Sequence, residues 1–367
     1  MPNSAVDNDN IEKVLGQVGP RPSRARRVVL KSNQITSRYY AIDPKTLQTT
    51  HTNTQLCANA IKGLGSQELH DLDLLVCGTT RPDQMLPNHA LMVHAQLGLK
   101  PLEAVSTAGI CLSGTTALKY AYTAIKSGEA DKAVATGSEN ASAVMRARNF
   151  QEEIDYRAEQ FEKNPEIVFE KDFLRWMLSD GAGAMLLSSR PNADSISLKI
   201  EKIFSRSYAN ELDTCMYAGC EKLPDGTIQG WREYESKEWV TKSLFSVKQD
   251  VKLLNDNIIE YTVTKPLEEM LEKKMFAPDE IDWFLPHYSS GYFRDKVYAG
   301  MKKAGCEIPQ EKWFTNLAYK GNTGSASIYI ILEELFNAGK FQKGEKILCY
   351  VPESGRFSTA FILLEAV

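Results

Sequence analysis

One pattern of elements occurs twice in this chain, and it limits the fold more than any other feature. Leu72-Asp73-Leu74-Leu75-Val76-Cys77 and Ile281-Asp282-Trp283-Phe284-Leu285-Pro286 are short apolar runs set after acidic residues and before a polar turn, so each reads as a buried strand. At near-equal distances downstream, Gly114-Thr115-Thr116-Ala117-Leu118 and Gly324-Ser325-Ala326-Ser327-Ile328 open nearly apolar segments that end near Gly128 and Gly339. Each reads as a buried helix. Both then lead through a charged turn to another strand, Lys132-Ala133-Val134-Ala135-Thr136 and Lys346-Ile347-Leu348-Cys349-Tyr350. The simplest account is a duplicated α/β unit with mixed, mainly parallel sheets. A chance match of α/β punctuation is the alternative. With a join near Ser188-Ser189-Arg190-Pro191-Asn192, the halves are residues 1–190 and 191–367. Glu139 to Leu178, helical in pattern from Ala143 to Gln160, and Tyr208 to Asp250 fall outside the repeat and read as insertions, where functional loops are common.

Composition narrows the function. Among 367 residues, 43% are hydrophobic and 25% charged, enough for a sizeable core, and the net charge of -4 gives no basic excess for nucleic acid or an anionic membrane. The seven cysteines are odd in number and lack C-x-x-C spacing, which speaks against a disulfide framework or zinc site and for a reducing cytoplasm. The polar, acidic start does not read as a signal peptide, and no apolar run reaches the roughly 18 residues that a membrane span needs.

Cys111, in Ala108-Gly109-Ile110-Cys111-Leu112-Ser113-Gly114, lies where a short apolar segment meets the first buried helix. Unpaired N–H groups and the positive dipole end there favour thiolate and are expected to lower the thiol pKa. A structural buried cysteine is the competing reading. His287 follows the matching strand of the second half, at a carboxyl end where open α/β sheets place their sites; a packed or solvated loop histidine is the alternative. Asn322, in Gly321-Asn322-Thr323-Gly324, opens the second buried helix, where an ordinary N-cap would suffice. A pseudo-twofold axis would bring both helix starts and the His287 turn into one Cys–His–Asn cluster.

At these residues the chain resembles the thiolase-like superfamily, and within it the β-ketoacyl synthase III-type condensing enzymes. The similarity is strongest in Cys77-Gly78-Thr79-Thr80, Leu86-Pro87, Ser106 to Gly114, Ser179-Asp180-Gly181-Ala182-Gly183-Ala184, Leu285-Pro286-His287 and Gly321-Asn322-Thr323. It implies a five-layered αβαβα thiolase-like fold with duplicated halves, and a homodimer. It also implies that Cys111 accepts the acyl group, that His287 and Asn322 bind the second thioester's carbonyl, and that the backbone N–H groups of Cys111 and Gly355 form the oxyanion hole. Leu86 matches a position that reaches into the partner subunit's acyl pocket. No metal or other cofactor is implied beyond phosphopantetheine-linked substrates, acyl carrier protein thioesters or acyl-coenzyme A.

The departures point to a subgroup. The family's opening strand, expected at the centre of the first sheet, should already have ended where the chain starts at Met1-Pro2-Asn3. Val28 replaces a tryptophan that stacks on coenzyme A adenine, which favours a carrier-protein thioester, and Arg24, Arg26, Arg27 and Arg38 would meet phosphopantetheine or an acidic carrier, or else form a solvated basic face. Val351-Pro352-Glu353-Ser354-Gly355-Arg356-Phe357-Ser358 replaces a glycine-rich loop, and a carboxylate at Glu353 in an apolar pocket would move protons. With Ser37-Arg38-Tyr39-Tyr40 and Phe173-Leu174-Arg175-Trp176, these features resemble the ketosynthase/cyclases of dialkylresorcinol and isopropylstilbene pathways, which join two acyl-chain thioesters into a cyclohexanedione ring. A 3-oxoacyl-carrier-protein synthase III that starts fatty-acid synthesis, and a non-catalytic partner subunit, are the alternatives.

Overall fold

The computed structural model describes residues 1–19, 23, 25–156 and 172–367. In chain order, the strands that position the site are β1 (Leu74–Thr79), β2 (Glu103–Ala108), β3 (Lys132–Glu139), β4 (Gly181–Ser188), β5 (Leu198–Ser207), β6 (Ile281–Pro286), β7 (Lys346–Glu353) and β8 (Ser358–Ala366). The helices are α1 (Asn53–Lys62), α2 (His89–Leu97), α3 (Leu112–Ser127), α4 (Val251–Ile259), α5 (Lys265–Glu272), α6 (Arg294–Lys303) and α7 (Ser327–Asn337).

The first sheet has the order β2-β1-β3-β4 and the second β6-β7-β8-β5. Strand β1 runs parallel to both neighbours, with Val76 opposite Val105 and Ala135. All its residues are buried. A parallel strand covered on both faces has no solvent side, so its run is apolar without alternation. In the second sheet only β6 and β7 are parallel; β7 with β8 and β8 with β5 are antiparallel. That sheet is mainly antiparallel, contrary to expectation. Residues 354–357 alone join β7 to β8, and so short a link permits only a hairpin.

Phe284 on β6 bridges in parallel to Trp313, as β1 does to β2. The halves therefore correspond strand for strand, except that β5 against β8 has no counterpart against β4 among the described residues. The place β5 occupies is a sheet edge, which corrects the expectation of a central opening strand.

Helices α1 and α2 cover the outer face of the first sheet, α3 and α7 fill the space between the sheets, and a π-helical turn, Glu260–Thr264, with α4, α5 and α6 around it covers the second sheet. This is the five-layered αβαβα arrangement. On α3, Ala117, Leu118, Ala121 and Ala124 recur at helical spacing and are buried. They meet Ile328 and Leu332 of α7 in the central core.

The insertions differ in detail from their sequence patterns. Instead of one helix from Ala143 to Gln160, there is a short helix Ser142–Met145, a 3-10 turn Ala147–Phe150 and a helix Gln151–Tyr156; residues 157–160 lie outside the described ones. The break is at Arg146, which takes an extended conformation while its guanidinium donates to Leu47 O (2.8 Å) and Thr49 Oγ1 (3.0 Å). Residues 208–250 form two small antiparallel pairs and a helix, Ser236–Thr241, around Trp231, Trp239 and Phe245. That helix packs on Gln151–Tyr156, so the two insertions meet. No helix among the described residues is long and apolar enough to cross a membrane.

Candidate active site

Two glycines let the halves touch. A Cβ on Gly114 of α3 or on Gly137 of β3 would overlap the Ser325 carbonyl oxygen at the start of the second buried helix. Tyr329 Oη donates to Gly114 O at 2.8 Å across the same contact. Cys111 is the N-cap of α3. Asn322 stands on the turn before Ser325, held by Asn322 N donating to Met177 O (2.9 Å) and by Ser179 N donating to Asn322 O (2.8 Å). Its Oδ1 accepts from Gly324 N at 2.9 Å. That local bond resembles a cap and leaves the amide NH2 as the free donor end. His287 follows β6, with its N–H on Tyr350 O at 2.8 Å.

Cys111 and His287 line one narrow cavity of about 30 Å³, with Ile258, Tyr288, Phe293, Tyr350, Pro352 and Ser354 among its walls. Asn322 does not line it. Its link to Cys111 runs through the Ser325–Gly114 contact.

The electrostatics correct one expectation. The Cys111 thiol is pushed well up, not down, by burial first, then by the charges of Glu353 and Glu139. Burial alone lowers His287 to about 4, so the imidazole is neutral near neutral pH. Burial also raises Glu353, although backbone N–H groups of Gly355 and Ser358 oppose the shift.

Glu139, at the end of β3, was not singled out by its sequence context. Its Oε1 accepts from Thr80 N (3.0 Å), Thr80 Oγ1 (2.5 Å) and Ser325 N (3.3 Å). It thereby ties the turn after β1 to the Asn322 helix start. The signal available was a charged residue at the carboxyl end of a buried strand.

The loop carrying Glu353 and Gly355 is clamped by the second insertion. Cys215 N donates to Gly355 O (2.8 Å), Met216 N to Ser354 O (3.1 Å) and Arg356 Nη2 to Leu212 O (2.8 Å). Gly355 lies beside the residue before the nucleophile, since its Cβ would come within 2.9 Å of Ile110 Cδ1. Its N–H, however, donates to the Glu353 carboxylate.

The remaining candidates separate. Leu86 is 86% exposed and does not line the cavity of its own chain. Arg38 is corrected: it is fully buried and donates to Asn8 Oδ1 (2.9 Å) and Trp176 O (2.9 Å), so it braces the fold and cannot meet a carrier. Arg26 is half-buried, bonded to Asn8 O and paired with Glu12 at 2.9 Å, which removes it from a free basic face. Arg27 is exposed, and Arg24 lies outside the described residues. Among the described residues no cluster of three His, Cys, Asp or Glu is placed to hold a metal.

Two family descriptions match this chain. Residues 77–193 match the beta-ketoacyl synthase N-terminal domain, and residues 271–363 match the C-terminal part of 3-oxoacyl-[acyl-carrier-protein] synthase III. A beta-ketoacyl-[acyl-carrier-protein] synthase III of Clostridium perfringens is 27% identical over 348 residues, 95% of this chain and 91% of that protein. The enzyme of the same name from Aquifex aeolicus is 25% identical over 301 residues, 82% of this chain and 78% of its own. Among solved structures, the E117A variant of Xanthomonas campestris OleA superposes with a TM-score of 0.73 at 20% identity, covering 99% of this chain and 95% of that one. AbyA1, a tetronic acid condensing enzyme, gives 0.72 at 20% identity, covering 100% and 97%. With Cys111 capping the first of two touching helix starts and His287 lining the same cavity, these matches mean that the chain belongs to the β-ketoacyl synthase III-type condensing enzymes of the thiolase-like superfamily.

Proposed function

We propose that the chain joins two phosphopantetheine-linked acyl thioesters through an acyl-Cys111 intermediate and closes the product into a cyclohexanedione-type ring. The supporting observation is that Cys111 and His287 share a cavity whose loop also carries a buried carboxylate, Glu353. The sulfur attacks the first thioester and the carrier thiol leaves. A second thioester loses carbon dioxide or a proton to give an enolate, which the neutral His287 imidazole stabilises in the cavity, with the Asn322 amide as the second donor that the family resemblance implies. The enolate carbon attacks the acyl carbonyl, a carbon–carbon bond forms, and Cys111 departs. Glu353 is assigned the proton transfers of ring closure. The acyl donors are carrier-protein or coenzyme A thioesters, and the working unit is a homodimer in which Leu86 enters the partner's pocket.

A second reading, a synthase III making a linear 3-oxoacyl product, is favoured by the names of the relatives at 25–27% identity. Incubation with a panel of acyl thioesters, followed by intact-mass and product analysis, tests both. An acyl adduct present in the wild type and absent in Cys111→Ala is expected. A six-membered ring supports the cyclase and a linear product the synthase III. No adduct with any thioester points to a non-catalytic partner subunit. Normal ring formation by Glu353→Gln would remove Glu353 from the closure step.

A further inference from the structure

The loop between β7 and β8 holds a contact that condensation does not require. The Glu353 carboxylate accepts a hydrogen bond from the Gly355 N–H, the donor that the family resemblance assigns to the oxyanion. The other carboxylate oxygen accepts from Ser358 N at 3.3 Å, and the side chain is buried. A Cβ on Gly355 would overlap Glu353 Oε1 and crowd Ile110 Cδ1, so carboxylate, amide and nucleophile turn share one small space. Pro352 and Ser354, on either side of Glu353, line the cavity with Cys111. On the family resemblance, the Glu353 carboxyl therefore occupies the donor that the oxyanion needs.

Two negative oxygens cannot share one buried donor, because each is stabilised by the same N–H and repelled by the other. Acyl transfer also needs an acceptor for the Cys111 proton. Glu353 opposes thiolate formation as long as it is charged, and burial keeps the His287 imidazole a poor base. Resting on the acyl-Cys111 reading, we propose that Glu353 masks the Gly355 amide in the resting enzyme and frees it by taking the Cys111 proton as the sulfur attacks. The S–H bond breaks and an O–H bond forms on Glu353. A carbon–sulfur bond forms to the thioester carbonyl, and its π electrons move to oxygen. A neutral carboxyl is a weaker acceptor than a carboxylate, so the N–H passes to the oxyanion. Collapse breaks the carbon–sulfur bond to the carrier. The leaving thiolate takes its proton back from Glu353, which returns to the amide.

The test compares two reactions of Cys111 by rapid-quench mass spectrometry: acylation by octanoyl-coenzyme A, which builds an oxyanion, and alkylation by iodoacetamide, which does not. Glu353→Gln keeps an acceptor on the amide but cannot take a proton. Its acylation is expected to fall about 100-fold, and alkylation, which also needs the thiol proton removed but builds no oxyanion, by a clearly smaller factor. Glu353→Ala bares the amide and should acylate at least about tenfold faster than Glu353→Gln. Equal acylation by the two variants overturns the mask. Acylation and alkylation falling by one common factor overturns the proposal in favour of a turn brace. Thermal melting checks the fold, and Glu353→Ser replaces Glu353→Ala if that variant unfolds. A wild type that takes no octanoyl adduct from either octanoyl-coenzyme A or octanoyl carrier protein while iodoacetamide still labels Cys111 fails the acyl-Cys111 reading, and the mask with it.

Discussion

Cys111 shows two opposed effects on one thiol. A helix start favours the charged sulfur by about 0.3–1 kcal/mol when exposed, whereas desolvation opposes it, by as much as about 3–5 pKa units for a fully buried group and by less for the half-buried Cys111. Burial is the larger, and two carboxylates add to it, so the resting thiol is neutral. The position of Cys111 was legible in the sequence. Its protonation was not, because Glu139 and Glu353 come from distant parts of the chain. His287 carries a stability signature of its own. Its pKa is about 4 folded and about 6.5 unfolded. Between these values the unfolded chain binds the extra proton, so stability falls as pH drops through this window. Relative to His287→Gln, the wild type should lose up to about 3 kcal/mol between pH 6.5 and 4, read from urea midpoints. A constant difference between the two proteins would show that the imidazole is solvated. Arg38 is the converse case: beside other arginines it looks like surface charge, and only the carbonyl of Trp176 and its neighbours show it to be interior.

Elements matter here where they touch. Gly137 on β3 and Gly128 beyond α3 are both glycines in the first half, yet they serve differently. Gly128 is a left-handed helix cap (φ 80°) with open space around it. Gly137 faces a backbone oxygen. Gly128→Ala should cost about 1 kcal/mol in backbone strain and leave acylation unchanged. Gly137→Ala should cost about 1–3 kcal/mol by overpacking and also slow acylation, since Ser325 cannot yield without moving the Asn322 turn. Thermal melts paired with acyl-adduct rates separate the two, and equal rates would mean that the Ser325 contact does not position the site. The strand–helix–strand repeat was readable because apolar runs and glycine stops are local. Strand direction in the second sheet was not, since it depends on which strand the hairpin at 354–357 pairs with.

At the scale of the molecule, Met85 and Leu86 stand 64% and 86% exposed at one end of the first half. Two large apolar side chains so far into water fit the proposed partner contact better than an isolated chain. A solution mass of two chains is expected by sedimentation. Leu86→Asp should impair acylation with long chains. Mixing it with inactive Cys111→Ala should restore activity, because the second subunit supplies an intact Leu86 to the first subunit's cysteine. Mixing without recovery would place Leu86 outside the acyl pocket.

The duplicated pattern, the buried strands and the positions of Cys111, His287 and Asn322 follow from the order of residues alone, because periodicity and helix or strand ends are set over a few neighbours. What the tertiary structure decided is everything that needs two distant segments at once. The contact of Gly114 and Gly137 with Ser325 and the placing of the Glu353–Gly355 turn beside Ile110 and Cys111 arise from packing one half on the other, and the burial of Arg38 from packing Asn8 and Trp176 around it within the first half. Charge and burial act through space, and the chain order does not state which groups will share that space.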